Sequence, residues 1–255
     1  MNSLELFKTQ KFYQIDISIL KDLGYDVLLS NRIFDSLLFW KYDILFSYFY
    51  RYSFFAALLA KCFGKKTYFT GGIDSLDSDY ASAFNYKIQA LFFKLCYWVA
   101  DSCIIVSQSD LKNIFKVSSL KKKLSYSEHV INTKLFIADV PKEKIFTSIV
   151  WMGDEGNVVR KGVDKALQIF AELKKIPEFV DYRFVIIGRK GEGEVLVRSI
   201  IDKYNLKGSV ELKGEVSEED KINLLKQSKY YFQLSLYEGF GLAALEALCA
   251  NNIII

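Results

Sequence analysis

The sequence has few of the residues that bind metals or build thiol-based active sites. It contains one histidine, His129, and four cysteines, and no two cysteines form a Cys-x-x-Cys pair. This argues against a zinc site and against a Cys/His nucleophile pair. The cysteines lie in apolar surroundings such as LAKCF and KLCYW, which is typical of proteins in a reducing cytoplasm.

Long apolar runs are also missing. Charged residues interrupt the N-terminal stretch MNSLELFKTQKF, which therefore lacks the pattern of a secretory signal. The most aromatic stretch, residues 37–63, is broken by Lys41, Asp43 and Arg51 and falls short of the ~20 apolar residues of a membrane span. We therefore predict a soluble, cytoplasmic protein.

The charge balance gives no sign of a nucleic-acid partner. Lys and Arg number 34 against 30 Asp and Glu, and the formal charge is +4. The basic residues are scattered and form no stripe, so we expect no nucleic-acid binding. With 255 residues, 51% of them hydrophobic, the chain is long enough for one large or two ordinary globular domains.

The aromatic residues are unevenly distributed. Residues 1–100 hold 25 of the 40 Phe, Trp and Tyr side chains. Two interpretations are open: a core packed with Phe and Tyr, or a surface that touches lipid or a lipid-linked substrate.

Strand-like and helix-like stretches alternate along the whole chain. Strands are predicted near 25–30, 42–49, 66–72, 101–108, 146–153, 182–188, 210–216, 230–235 and 252–255. Helices are predicted near 13–24, 53–64, 84–100, 109–115 (with Ser109 as a candidate N-cap), 162–176, 193–206, 218–228 and 242–250. This alternation predicts an α/β fold of two Rossmann-like, doubly wound domains, with ligands at the carboxyl ends of the strands.

The mixed, polar segment around Pro141 predicts the domain boundary. It separates a first domain at 1–140 from a second at 145–255. Both domains are expected to be incomplete, because the first begins with a helix instead of a strand and the second stops on a strand.

One motif, YEGFGLAALEALCANN, places two carboxylates around a helix start. Glu238 follows a predicted strand, and Gly239 and Gly241 form a turn before an apolar helix. The free amides and the dipole of such a helix start favour an anion. Glu246 lies inside this helix, so we expect it to be paired with backbone amides or a ligand hydroxyl.

A second motif, Arg160-Lys161-Gly162, lies between the first strand and the first helix predicted for the second domain. We interpret it as a loop at the ligand edge. Arginine can bind a diphosphate by two parallel hydrogen bonds and lysine as a point charge.

The second half of the chain resembles the donor-binding domain of the retaining glycosyltransferases of family 4, in glycosyltransferase group 1. The matching stretches are IVWMG, RKGVDKALQIFAEL, FVIIGRKGEG, VELKGEVSEED and SLYEGFGLAALEALCANNIII, the last of which fits the E-x7-E signature of that family. More loosely, TYFTGGIDS, ADSCIIVSQSDL and EHVINTKLF resemble its acceptor domain. The resemblance implies the GT-B fold, a pair of Rossmann-like domains.

The resemblance also implies roles for individual residues. Arg160 and Lys161 would neutralise the diphosphate of a nucleotide sugar, Glu238 would bond a hydroxyl of the donor sugar, and Glu246 would bind the ribose hydroxyls. The implied catalytic residues are Glu238, Arg160 and Lys161, and the implied donor-binding residues are Gly188 (under the base), Glu238, Gly239, Phe240, Gly241, Leu242 and Glu246.

The implied reaction is sugar transfer with retention at the anomeric carbon, without a metal or other cofactor. The donor would be a nucleoside-diphosphate sugar, and the acceptor a growing glycan or a lipid-linked molecule. Together with the aromatic crowding, this predicts peripheral contact with the inner face of a membrane.

The chain departs from the family at several positions. Gly153-Asp154 stands where many members have Gly-Arg, and a histidine of the acceptor domain is replaced by Gly71 or Gly72. Asp74 is a candidate acceptor-side residue, with a turn aspartate as the alternative, and His129 is interpreted as structural. We do not find the glycine-rich loop after the first strand of the acceptor domain or the last strand–helix units.

Two other classes of protein remain as alternatives. A truncated or non-catalytic relative would bind sugar nucleotides weakly or not at all. A nicotinamide-dependent oxidoreductase would fit the sheet pattern, but IIGRKGEGE has glycines at the wrong spacing for a dinucleotide fingerprint.

Overall fold

The computed structural model describes residues 4–5, 7, 11–71, 76–77, 81–119, 121–137 and 139–255. The chain divides into two compact units, Met1–Val130 and Ile131–Ile255. The division lies before the segment around Pro141, because Phe136 packs beside Tyr231 in a core of the second unit.

The first unit contains a parallel sheet whose described strands have the order β1-β2-β3-β4. The strands are Ile44–Tyr48 (β1), Lys66–Thr70 (β2), Ser102–Ile105 (β3) and Leu124–Tyr126 (β4). The α-helices are Lys11–Asp22 (α1), Tyr50–Cys62 (α2), Ala83–Val99 (α3) and Gln108–Val117 (α4). Short 3-10 turns span Ile33–Leu37 and Phe39–Lys41, and another, Thr133–Leu135, belongs to the second unit. Consecutive strands are neighbours, so right-handed crossovers place α2, α3 and α4 on one face of the sheet.

Two predictions in this unit are wrong, the strand at 25–30 and the cap at Ser109, and one strand, β4, was missed. Residues 25–30 form no strand, and Leu28 is 66% exposed there because no neighbouring strand pairs with the segment. β4 was not predicted, since it has three residues and is defined by its pairing with Cys103–Ile105. Ser107, rather than Ser109, caps α4 by accepting a hydrogen bond from the backbone of Asp110.

The second unit contains a parallel sheet with the strand order β7-β6-β5-β8-β9. The strands are Glu143–Ile149 (β5), Arg183–Ile187 (β6), Val210–Gly214 (β7), Ser228–Tyr231 (β8) and Ile253–Ile254 (β9). The helices are Glu155–Arg160 (α5), Val163–Leu173 (α6), Glu194–Lys203 (α7), Glu218–Gln227 (α8) and Leu242–Cys249 (α9), and a 3-10 turn spans Pro177–Phe179. The strand order reverses between β5 and β8, so ligands are expected in the crevice outside the carboxyl ends of these two strands.

Helices cover both faces of this sheet because both sets of alternating side chains are apolar. Phe146, Phe184 and Ile186 pack against α6 and α7 on one face. Their neighbours Ile145 and Val185 pack against α8 on the other. Burial of both faces explains the nearly continuous apolar runs of β5 and β6.

The short helix α5 replaces the predicted loop after β5. Asp154 caps it, accepting a hydrogen bond at 2.7 Å from the backbone N–H of Asn157. Arg160 is its last residue and Lys161 its C-cap.

The aromatic residues of the first unit divide between core and surface. Tyr50, Phe69 and Phe93 are fully buried, whereas Phe84 and Trp98 are 72% and 71% exposed. In the described part of the chain, no helix combines the length and apolar character needed to cross a bilayer.

Candidate functional site

The two motifs of the second unit meet at the point where its strand order reverses. The segment after β5 carries Lys161 and the segment after β8 carries Glu238. The ammonium Nζ of Lys161 lies 2.6 Å from the carboxylate Oε2 of Glu238, with 20% and 31% of these side chains exposed. Gln233 also donates to Oε2 of Glu238, at 3.3 Å. A cation and an acid far apart in sequence thus form one half-buried group.

Arg160 lies beside this pair and faces the same segment. Its Nη1 donates to the carbonyl oxygen of Tyr237 at 3.4 Å, and its Nη2 donates to Oδ1 of Asn157 at 3.1 Å. The guanidinium is therefore held at the residue that precedes Glu238.

The backbones of the two segments are also joined. Gly162 has φ +68°, and a Cβ there would lie 2.1 Å from the carbonyl oxygen of Leu234. The N–H of Leu236 donates to the carbonyl oxygen of Arg160 at 2.8 Å. A side chain at position 162 would separate the segments, so the close approach requires glycine.

The start of α9 lies at the same place. Gly241 has φ +84°, and a Cβ there would lie 3.5 Å from Cγ of Glu238. Gly239 and Phe240 form the turn between these two residues. Gly241 provides no side-chain cap for α9, and a helix start of this kind favours an anion through its amides and its dipole.

The residues around the ion pair line a small pocket of about 20 Å³, formed by Ile149, Val150, Lys161, Tyr231, Phe232, Gln233, Ser235, Glu238, Gly241 and Ala243. This volume holds about one water molecule. A phosphate group is larger than this pocket.

Glu246 has a partner that the sequence analysis missed. This residue is 4% exposed. Its Oε2 lies 2.7 Å from Nζ of Lys221 on α8, and the side chain of this lysine is 14% exposed. The same Nζ lies 3.0 Å from Oε1 of Glu218. Lys221 stands one turn before Leu225, which is fully buried, so the lysine lies on the inner side of α8. No local pattern in the sequence pairs it with Glu246.

Tyr231 is a second residue that the sequence analysis missed. Its ring is buried, and its hydroxyl accepts a hydrogen bond from the N–H of Ile149 at 3.3 Å. Burial raises the pKa of this phenol, and the negative charges of Glu238 and Glu246 raise it further. Tyr231 is therefore a neutral group close to both carboxylates.

Gly188, predicted to lie under a nucleotide base, directly follows β6 at the same edge of the sheet. It has φ +131°, and a Cβ there would lie 2.1 Å from the carbonyl oxygen of Val150. Leu242 is the first residue of α9. Gly188 and Leu242 thus lie at the ends of elements that border the crevice.

The predicted acceptor-side residues belong to the first unit. Gly71 follows β2 with φ +106°. Gly72 and Asp74 lie outside the described residues.

His129 contacts α1 in the first unit. Its ring centroid lies 6.1 Å from that of Phe12. Burial lowers its pKa, while the carboxylate of Asp16 works in the opposite direction. Tyr48 donates a hydrogen bond of 2.8 Å to Oδ2 of Asp16.

In the described residues, no three His, Cys, Asp or Glu side chains cluster in a way that could hold a metal ion.

Comparison with known proteins bears on the second unit above all. The family model described as Glycosyl transferases group 1 matches residues 156–255. The GDP-mannose:cellobiosyl-diphosphopolyprenol alpha-mannosyltransferase of Xanthomonas oryzae pv. oryzae is 35% identical over 97 residues, which are 37% of this chain and 25% of that protein. A component of the human phosphatidylinositol N-acetylglucosaminyltransferase is 33% identical over 90 residues, 35% of this chain and 18% of the human protein. The matched part therefore spans a quarter or less of each relative.

Similarity to solved structures extends over both units. HepE from Anabaena in complex with UDP has a TM-score of 0.69 at 13% identity, covering 86% of this chain and 61% of HepE. TarM from S. aureus has a TM-score of 0.66 at 19% identity, covering 83% of this chain and 40% of TarM. These similarities confirm the predicted fold class, two Rossmann-like α/β units of the GT-B type.

Proposed function

We propose that this chain, whose residues 156–255 match the family model described as Glycosyl transferases group 1, transfers a sugar from a nucleoside-diphosphate sugar to an acceptor with retention of anomeric configuration. The observation that carries the proposal is the convergence of Lys161, Glu238 and the start of α9 at the reversal point of the sheet. These groups offer a cation, a hydrogen-bond acceptor and the start of a helix within one crevice.

The ion pair suggests how the donor enters. A diphosphate at the start of α9 would attract Lys161 away from Glu238, because the two phosphates together carry two negative charges and the carboxylate carries one. The carboxylate of Glu238 would then be available to accept a hydrogen bond from a hydroxyl of the donor sugar. Arg160 would add a second cation beside the phosphates. Binding thus exchanges one ion pair for another.

The nucleoside would lie along the same edge. Glu246 would accept hydrogen bonds from the ribose hydroxyls, with Lys221 compensating its charge. The base would rest on Gly188, and the amides of Phe240, Gly241 and Leu242 would face sugar and phosphate.

Catalysis in this arrangement would be electrostatic. As the nucleoside diphosphate departs, negative charge develops on the phosphate oxygens, and Lys161, Arg160 and the dipole of α9 would stabilise it. These groups supply the positive charge that a metal ion supplies in other enzymes, so we expect no metal requirement.

The proposed acceptor is a glycan or a lipid-linked molecule. The Xanthomonas relative is named for a diphosphopolyprenol substrate, which supports a lipid-linked acceptor. We further propose a cytoplasmic protein that contacts the inner face of a membrane.

The test is a thermal-shift screen of the whole chain against nucleoside diphosphates and their sugars. We expect one base to stabilise the protein, and Lys161→Met and Glu246→Ala to abolish the shift. Lys165→Met is the matched control, because Lys165 is an exposed lysine on the adjacent helix α6. Donor hydrolysis by the same proteins would then report catalysis. Indifference to every nucleotide would favour a non-catalytic relative instead.

A further inference from the structure

The outer side of α3 carries a regular row of exposed apolar and basic residues. The row consists of Phe84, Lys87, Leu91, Lys94 and Trp98, all exposed, and we call it the α3 stripe. Spacings of three and four residues place these side chains on one side of the helix. The opposite side packs into the core of the first unit.

Helix α2 extends this surface. It packs beside α3, where the rings of Phe54 and Phe92 meet edge to face with centroids 6.0 Å apart. Its outward side chains Tyr52 and Phe55 are 76% and 55% exposed. Because α2 and α3 lie on the same face of the sheet, their outer sides form one continuous surface.

The surface is basic as well as aromatic. The sequence contains no Asp or Glu in residues 44–73 or in residues 80–100. Helices α2 and α3 carry Arg51, Lys61, Lys87 and Lys94. Lys61 pairs with Asp101 at 2.8 Å, beyond the end of α3. The charged side chains of the two helices are therefore all basic.

We propose that the α3 stripe, together with Tyr52 and Phe55, docks onto a bilayer that contains anionic lipid. Trp and Phe side chains favour the boundary between headgroups and acyl chains, and lysines can extend from an apolar surface to the phosphates. A protein partner fits this surface less well, since lysine is depleted in the cores of protein–protein interfaces. The α3 helix would lie in the plane of the membrane surface.

This inference names the surface behind the membrane contact in the proposed function, and to that extent it rests on that function. Lipid binding itself depends only on the exposed side chains of the first unit. A lipid-linked acceptor would meet the protein at such a surface.

The test is co-sedimentation of the whole chain with vesicles of phosphatidylcholine and phosphatidylglycerol (3:1) or of phosphatidylcholine alone. We expect binding to the anionic vesicles that weakens in high salt. Lys87→Gln/Lys94→Gln should reduce the partition coefficient about fivefold for each lysine. Phe84→Ser/Trp98→Ser should reduce it about tenfold, because the exposed rings supply the apolar contact.

Matched controls come from exposed residues of the second unit. Lys165→Gln/Lys203→Gln removes the same charge, and Val180→Ser/Val195→Ser removes exposed apolar side chains. Absence of vesicle binding, or an equal loss in the control variants, would refute the lipid assignment. Self-association that disappears in the stripe variants, without vesicle binding, would assign the surface to a second copy of the chain.

Nucleotide-induced thermal shifts of the same variants separate this inference from the proposed function. We expect unchanged shifts, because the stripe belongs to the first unit and the crevice to the second. Vesicle binding without any nucleotide response would preserve the surface and reject the transferase.

Discussion

The Lys221–Glu246 pair allows a sharp prediction about stability. Replacing Lys221 by methionine preserves much of the side-chain volume but leaves the carboxylate of Glu246, which is 4% exposed, without its ammonium partner at 2.7 Å. Breaking a buried pair on one side costs about 3–5 kcal/mol. We expect about 3 kcal/mol for Lys221→Met, the lower end, because the lysine side chain is 14% exposed.

The double variant Lys221→Met/Glu246→Leu is the matched comparison. It removes both charges and replaces them with apolar groups of similar size, a change that is often neutral or stabilising. We expect its free energy of unfolding to return to within about 1 kcal/mol of the wild type. It should nevertheless lose the nucleotide-induced stabilisation, since Glu246 is the proposed ribose ligand.

Urea unfolding followed by tryptophan fluorescence measures both effects. Trp151 is the single tryptophan of the second unit, so its emission reports this unit in a background without Trp40 and Trp98. With a slope of about 1.5–2 kcal/mol/M, a loss of 3 kcal/mol lowers the midpoint by roughly 1.5–2 M. A loss below about 1 kcal/mol for Lys221→Met, or no recovery in the double variant, would refute the buried-pair reasoning.

Three further predictions concern packing and ionisation. Gly162→Ala and Gly208→Ala impose the same left-handed backbone strain, about 1 kcal/mol. Gly162→Ala should lower the free energy of unfolding in urea by about 2 kcal/mol more, because only the Cβ at position 162 meets a carbonyl oxygen. Equal losses in the two variants would contradict the close approach. Burial raises the pKa of the Cys103 thiol to about 12, so at pH 8 a disulfide reagent should label the exposed Cys62 quickly and Cys103 only after unfolding. Burial lowers the pKa of His129, and the unfolded chain therefore binds the proton first; stability should fall as the pH drops below about 6.5, and His129→Asn should flatten this part of the profile of unfolding midpoint against pH.

The alternation of apolar stretches predicted most of the helices and strands, because each of these is long enough to form a recognisable apolar run. Helix α3 and strand β6 are clear examples, since their patterns extend over their whole length. The segments that were predicted wrongly or missed are short, or their structure depends on pairing with another strand. Strand β4 exists only through its pairing with β3, and residues 25–30 have a strand-like pattern with no strand to pair with.

The candidate site was predictable in its positions but not in its pairings. Glycines at 162 and 241 and acids at 238 and 246 are visible as motifs. No local pattern reveals that Lys161 meets Glu238 or that Lys221 meets Glu246, because these partners are brought together by the order of the strands. Contacts across a sheet edge require the tertiary structure.

The contacts at Gly162 affect which positions near the crevice can change in evolution. Main-chain atoms join the segments here, through the contact with Leu234 and the hydrogen bond from Leu236 to Arg160. The ion pair of Lys161 with Glu238 adds a side-chain contact between the same segments. Because the main-chain contacts do not depend on which side chains stand at 161 and 238, a lineage can exchange those side chains, and with them its preferred ligand, at the cost of the ion pair alone.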